Sequence, residues 1–375
     1  LLIFFQIIYW NNTLIRYRVF DENTYLPAII MAALFHFSFD MTTLSPTLLG
    51  STFLMLALGQ LFSQTVLQKE TSESTLLIGI YGGLATGFHL NFVLFLPYII
   101  FTGLAISGFS IRQLFLALVG FFLPILLILV FYYWNDGLAE AIQAWPMIFS
   151  YDTYEYQPMM SWLIPGVVPI ILAFAGYFFG SFFRGATINQ QKQRQLIIIW
   201  LIFSVLFFFL VKRQAAYQLL IFIPGLTYLI TQFFLHFKSG FIGRLGFTLL
   251  VFGLPFGGLA YWANRLEVDK TYFVQATISD QLPNQSSVMV LGEDCSSYLQ
   301  HPLGGPFLNY HLTKTFLSGE KSLEQKSELF RKLSKQKADF ILDQEGSFQA
   351  LLEELPALKE HYKEAKPGVF VKIGN

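Results

Sequence analysis

The charged residues of this chain are split so unevenly that its two parts cannot share one solvent. Residues 264–375 hold 13 of the 24 Lys/Arg and 15 of the 24 Asp/Glu, which leaves 20 charges for the first 263 residues. A soluble domain carries about 25% charged residues, so a stretch this poor in them has no means of wetting its own outside. Phe alone contributes 42 residues, and apolar types make up 54% of the chain. Composition therefore predicts an α-helical polytopic membrane protein over 1–263, followed by a small α/β domain over 264–375. Cys295 is the one cysteine, so neither an internal disulfide nor a cysteine metal cage is available.

Crossing a hydrocarbon layer of about 30 Å takes roughly 20 apolar residues. About ten candidate spans follow: 1–15, 25–39, 45–62, 75–90, 92–108, 113–134, 161–183, 195–211, 215–235 and 246–263. Those within 25–62 and 75–108 run short, which predicts tilted or partly re-entrant helices there. Ser45-Pro46 reads as an N-cap followed by proline at the first helical position. Leu1 already lies inside an apolar run, without a basic stretch or a small-residue cleavage site, so 1–15 reads as cut short by a missing N-terminal segment.

Joined alternately, these spans place loops 16–24, 63–74, 109–112, 184–194 and 236–245 on one side, with nine Lys/Arg. The opposite loops hold only Lys212 and Arg213, while 135–160 carries Asp136, Glu140, Asp152 and Glu155 with no basic residue. Positive residues are retained on the cytoplasmic side. The acidic loop and the tail are thus expected outside the cytoplasm.

The tail alternates strand and helix patterns. Ser287–Leu291, Phe340–Leu342 and Gly368–Ile373 read as strands. Residues 319–337, with Glu328 and Lys332 four apart, and the stripe Phe348, Leu351, Leu352, Leu355 read as helices. That order predicts a parallel or mixed sheet with helices packed on it. Glu293 and Asp294 follow a strand, where open α/β sheets bind ligands, though a solvated loop is the plainer reading of two such acids.

Ionisable residues near a bilayer are costly and tend to carry function. On the outer side they are Asp40, His89, Asp136, Asp152, Glu155, Lys212 and Arg213, joined by Asn91, Asn135 and Gln214. Lys212 and Arg213 suit a lipid-linked phosphate, because Arg clasps phosphate oxygens with two parallel bonds; simple snorkelling to headgroups is the alternative. Asp136, Asp152 and Glu155 lie among Trp145, Tyr151, Tyr154 and Tyr156, the mixture a sugar site uses, although rings also serve as interfacial anchors. His89 and Asn91 flank a short outer turn, where a structural role is the plainer reading of a lone His. No residue pattern calls for a metal, another cofactor or nucleic acid.

The many spans, the acidic aromatic outer loop and the α/β tail together resemble the GT-C superfamily of polyprenyl-phosphate-sugar glycosyltransferases. Glu22–Pro27, Leu44–Pro46 and Gly79–Pro97 look like an uncharacterised family of bacterial polytopic membrane proteins; Val288–Tyr298, Pro306–Asn309 and Phe340–Asp343 are similar to the small domains that end many GT-C proteins. The resemblance implies sugar transfer from a polyprenyl-phosphate donor on the outer face. It places the catalytic acid in the first outer loop, which in this numbering falls upstream of residue 1. Lys212 and Arg213 would then be the phosphate-binding candidates, by role and not by matched motif, with the acids of 135–160 near the sugar; the candidate substrate-binding residues are Lys212, Arg213, Asp136, Asp152, Glu155 and His89. The competing expectation is a non-catalytic envelope scaffold or assembly partner that docks another protein through its tail.

Overall fold

The computed structural model describes the chain outside residues 67–71, 136, 139–140, 143–144, 146–153, 156–158, 183–185, 212, 238–239, 270–281, 284, 293, 307–313, 315–316, 318–320 and 374–375. Its contacts divide into two units, Leu1–Thr271 and Tyr272–Asn375.

The first unit is helical. In chain order it holds α1 (Leu2–Arg16), α2 (Leu26–Phe35), α3 (Pro46–Val66), α4 (Ser72–Phe88), α5 (Phe95–Thr102), α6 (Ile111–Trp134), α7 (Met159–Phe182), α8 (Ile188–Leu210), α9 (Ile223–His236), α10 (Phe241–Thr248) and α11 (Leu254–Asp269). Two short strands, β1 (Tyr154–Glu155) and β2 (Arg213–Gln214), lie between α6 and α7 and between α8 and α9. Among the described residues, seven segments are long and apolar enough to cross a membrane: Pro46–Val66, Leu90–Ser107, Ile111–Trp134, Leu163–Gly180, Ile188–Leu210, Ala216–His236 and Gly243–Asn264. The difference from the ten expected lies in α1, α2 and α4, which have 15, 10 and 17 residues.

Two of the seven segments are broken helices. Leu90–Leu94 is a 3-10 turn, α5 follows, and Gly103–Ser107 is π-helical before Gly108 ends it at φ 71°. Ala216–Phe222 is likewise 3-10 before α9 begins. Proline explains both breaks. Pro97 and Pro224 have no N–H to give to Val93 and Leu220, and their rings crowd those carbonyls, so the preceding residues wind more tightly. A third 3-10 turn, Phe39–Thr42, follows α2. Ser45 caps α3 as expected, its hydroxyl accepting from the N–H of Leu48 at 3.1 Å.

Small residues set the helix seams. A Cβ on Gly79 or Gly83 of α4 would strike the carbonyls of Ala117 and Phe121 on α6, and one on Gly87 would strike Ile128. The four-residue spacing of these glycines lets the two backbones touch, as in small-xxx-small helix pairs. Gly176 and Gly180 of α7 meet Leu229 and Gln232 of α9 in the same way. By contrast α6 turns Phe115, Phe122, Leu126 and Phe131 outward, all more than half exposed. Exposed apolar area on this scale is foreign to a water-facing monomer.

The alternation of chain direction is realised as two ends of the bundle. At one end Gln190 donates to Asp21 and to the Arg18 carbonyl, Gln193 to the Tyr17 carbonyl, and Arg194 to the Gly180 carbonyl at 2.8 Å. We call this the arginine end. At the far end the N–H of Tyr217 donates to Asp40, Trp262 donates to the Phe37 carbonyl, and β1 pairs in parallel with β2.

The second unit is a four-stranded mixed sheet in the order β3-β4-β6-β5, made of β3 (Val288–Leu291), β4 (Phe340–Asp343), β5 (Tyr362–Lys366) and β6 (Val369–Lys372). β3 and β4 are parallel, and the β5–β6 hairpin adds antiparallel to β4. Helices α12 (Leu323–Lys335) and α13 (Ser347–Glu354) bury Leu329, Leu333, Phe348 and Leu351 in the core with Ile341 and Phe370. Glu328 and Lys332 pair at 3.3 Å. Asp339 ties the start of β4 to β3, accepting from the N–H and hydroxyl of Ser287; these bonds hold its carboxyl below the usual carboxylate range.

Candidate functional site

Three 3-10 turns meet at the far end of the first unit. Asp40, in the turn after α2, is 7% exposed. Its carboxylate accepts from the Ser38 hydroxyl at 2.5 Å and from the N–H of Tyr217 at 3.2 Å. Gln218, next in the Ala216–Phe222 turn, accepts from the Thr47 hydroxyl at 3.1 Å through Oε1. Its Nε2 lies 3.4 Å from Nε2 of His89, which opens the Leu90–Leu94 turn. An amide nitrogen can only donate, so the His89 Nε2 accepts and the ring hydrogen is assigned to Nδ1. The ring is wedged between Phe92 and Phe207. Among the described residues the buried Nδ1 of His89 and Nδ2 of Asn91 have no protein partner. Irregular backbone at the depth of a bilayer is tolerated where it is buried in protein or lines a cavity, and in helix bundles broken spans mark binding sites.

Beside this cluster runs an apolar groove of about 640 Å³. Its walls are α7 from Leu163 to Tyr177, α8 from Ile198 to Phe209, and the outer faces of the 219–222 turn and α9 through Leu229; Leu34, Phe37 and Met41 close it. Leu219 and Phe222 face the groove while Gln218 reaches Thr47 and His89, so one 3-10 turn separates the apolar channel from the polar cluster. Along α7 the groove is roughly 20 Å long at about 1.5 Å per residue. That exceeds half the hydrocarbon thickness, about 15 Å.

At the far end the two walls of the groove are tied together. β1 ends four residues before α7 begins and β2 starts three residues after α8 stops. Their parallel pairing sets Tyr154 against Arg213 and Glu155 against Gln214. Thus two of the residues singled out from sequence, Glu155 and Arg213, lie on paired strands, opposite Gln214 and Tyr154 respectively. Asp136, Asp152 and Lys212 lie outside the described residues. His89 belongs to the polar cluster on the other side of the 3-10 turn. Thr47 and Gln218 were missed by the sequence reading; Gln218, the one amide side chain inside the run 215–230, is the signal that could have found them.

In the second unit the strand-end acid Asp294 bonds to backbone, and Glu293 lies outside the described residues. Asp294 accepts from the N–H of Ser296, and Gln344 bridges β3 and β4 through the backbone of Leu291 and Asp294. Among the described residues no three His, Cys, Asp or Glu come together as metal ligands would. Set against known protein families and against curated proteins, the chain matches none.

Proposed function

We propose that this is a polytopic membrane protein, with more spans than the seven long ones, that holds a long-chain lipid phosphate in its groove and acts on the headgroup at the far end. The single observation behind the proposal is the groove itself. It is apolar throughout, longer than one leaflet, and tied at its far end by the strand pair bearing Glu155 and Arg213. A two-tailed lipid of one leaflet has chains that stop near the midplane, whereas a polyprenyl chain runs past it.

The arginine end is the cytoplasmic one on this reading, because basic loops are retained inside, and the far end with the tail is then outside a bacterial inner membrane. A polyprenyl-phosphate sugar held there would place its phosphate by Lys212 and Arg213 and its sugar by the acids and rings of 135–160. The reaction class that fits is glycosyl transfer of the GT-C kind. In vesicles containing the protein, reversing both charges (Lys212→Glu with Arg213→Glu) should cut consumption of a polyprenyl-phosphate sugar at least tenfold. Unchanged consumption would rule the enzyme reading out.

A further inference from the structure

A second, separate polar pocket lies near the other end of the groove. One helical turn beyond its last lining residues, the same three helices supply a small pocket of about 30 Å³ at the arginine end. On α7 the step is from Tyr177 to Gly180, on α8 from Ile198 to Arg194, and on α9 from Leu229 to Gln232. We infer that this pocket is a headgroup site for the same lipid, in which Arg194 holds the phosphate while the chain lies in the groove. The inference rests on the groove being a lipid-chain site and adds a second place for the headgroup, at the arginine end.

The chemistry of the pocket supports a phosphate. A guanidinium presents five N–H donors in a planar fork that matches phosphate oxygens; Nη1 of Arg194 gives one to the Gly180 carbonyl, which fixes the fork at the wall. The Tyr228 hydroxyl accepts from Gln232 at 2.9 Å and retains its own hydrogen to donate. A Cβ at Gly180 would press on the Gln232 amide and turn it from this position. Asp21 also lines the pocket, its carboxylate accepting from Gln190. It opposes an anion, and that gives the proposal a signed test. Binding therefore draws on both parts of the lipid, the long chain in the groove and the phosphate at Arg194.

The test is binding of a radiolabelled long-chain polyprenyl phosphate to the full-length protein in nanodiscs, with phosphatidylglycerol and inorganic phosphate as competitors. Arg194→Gln should weaken binding at least tenfold and Asp21→Asn should tighten it several-fold, with neither competitor displacing the probe at equal concentration. A photoreactive group on the phosphate should label the first two turns of α8. Binding unchanged in both variants, or headgroup label confined to β2, would overturn the site, as would efficient displacement by either competitor. Should Arg194→Gln fail to fold, the label position and Asp21→Asn decide. A chain-borne label that still enters the groove while the headgroup label misses α8 would refute this inference alone, and no groove label at all would refute the reading beneath it.

Discussion

Asp343 shows how a residue attractive for function is taken up by the fold. It ends β4, at the edge where open sheets bind ligands, but its two oxygens accept from the N–H groups of Ser347, Phe348 and Gln349 at 2.9–3.1 Å. Those are first-turn donors of α13 that have no partner inside the helix, and a carboxylate also suits the positive end of the helix dipole. Asp343→Ala should therefore destabilise the tail domain by about 2 kcal/mol, read as faster hydrogen exchange in α13 and β4 of the full chain. Exchange identical to that of the unsubstituted protein would contradict the capping role. The sequence made the Glu328–Lys332 pair legible, because four-residue spacing alone brings those side chains together. It did not reveal the cap of Asp343 or the Ser287–Asp339 clasp, since both depend on how β4 sits against its neighbours.

At the scale of elements, hydropathy located the long helices but not their breaks. Residues 215–235 read as an ordinary span, and 92–108 as tilted or partly re-entrant on length alone, because apolar composition is blind to winding; the prolines that tighten Leu90–Leu94 and Ala216–Phe222 were visible, yet their consequence depends on what lies three and four residues upstream. The strand Tyr362–Lys366 was missed for the opposite reason: it is an edge strand whose Lys363, Glu364 and Lys366 face water, so it carries no apolar pattern. Glycine spacing, which sequence does carry, sets the α4–α6 seam. Gly83→Leu would push a side chain into the Phe121 carbonyl and force the helices apart, at about 2–3 kcal/mol or more. The apparent unfolding temperature in detergent should fall by about 5 °C or more. Gly253→Ala, at a site with open space around it, should leave that temperature unchanged or slightly raised. Equal behaviour of the two variants would refute the close seam.

For the whole molecule, alternation of basic loops gave the two ends of the bundle, and contacts such as Gln190–Asp21 and Tyr217–Asp40 join loops far apart in sequence at the end expected of each. The groove was invisible beforehand because it is a gap left by tertiary packing, and no local pattern encodes a space. Its apolar lining is chemically the same as the outward-turned side of α6, so only shape distinguishes a specific channel from the general surface. That contrast supplies the most direct measurement. A polyprenyl phosphate carrying a photoreactive group along its chain, irradiated with the full-length protein in a bilayer, should attach to groove residues of α7, α8 and α9 such as Phe174, Leu201 and Leu226, and be competed by unlabelled lipid. Adducts spread over Phe115, Phe122 and Phe131 on the outer face of α6, with no competition, would contradict a lipid-chain site and the function proposed from it.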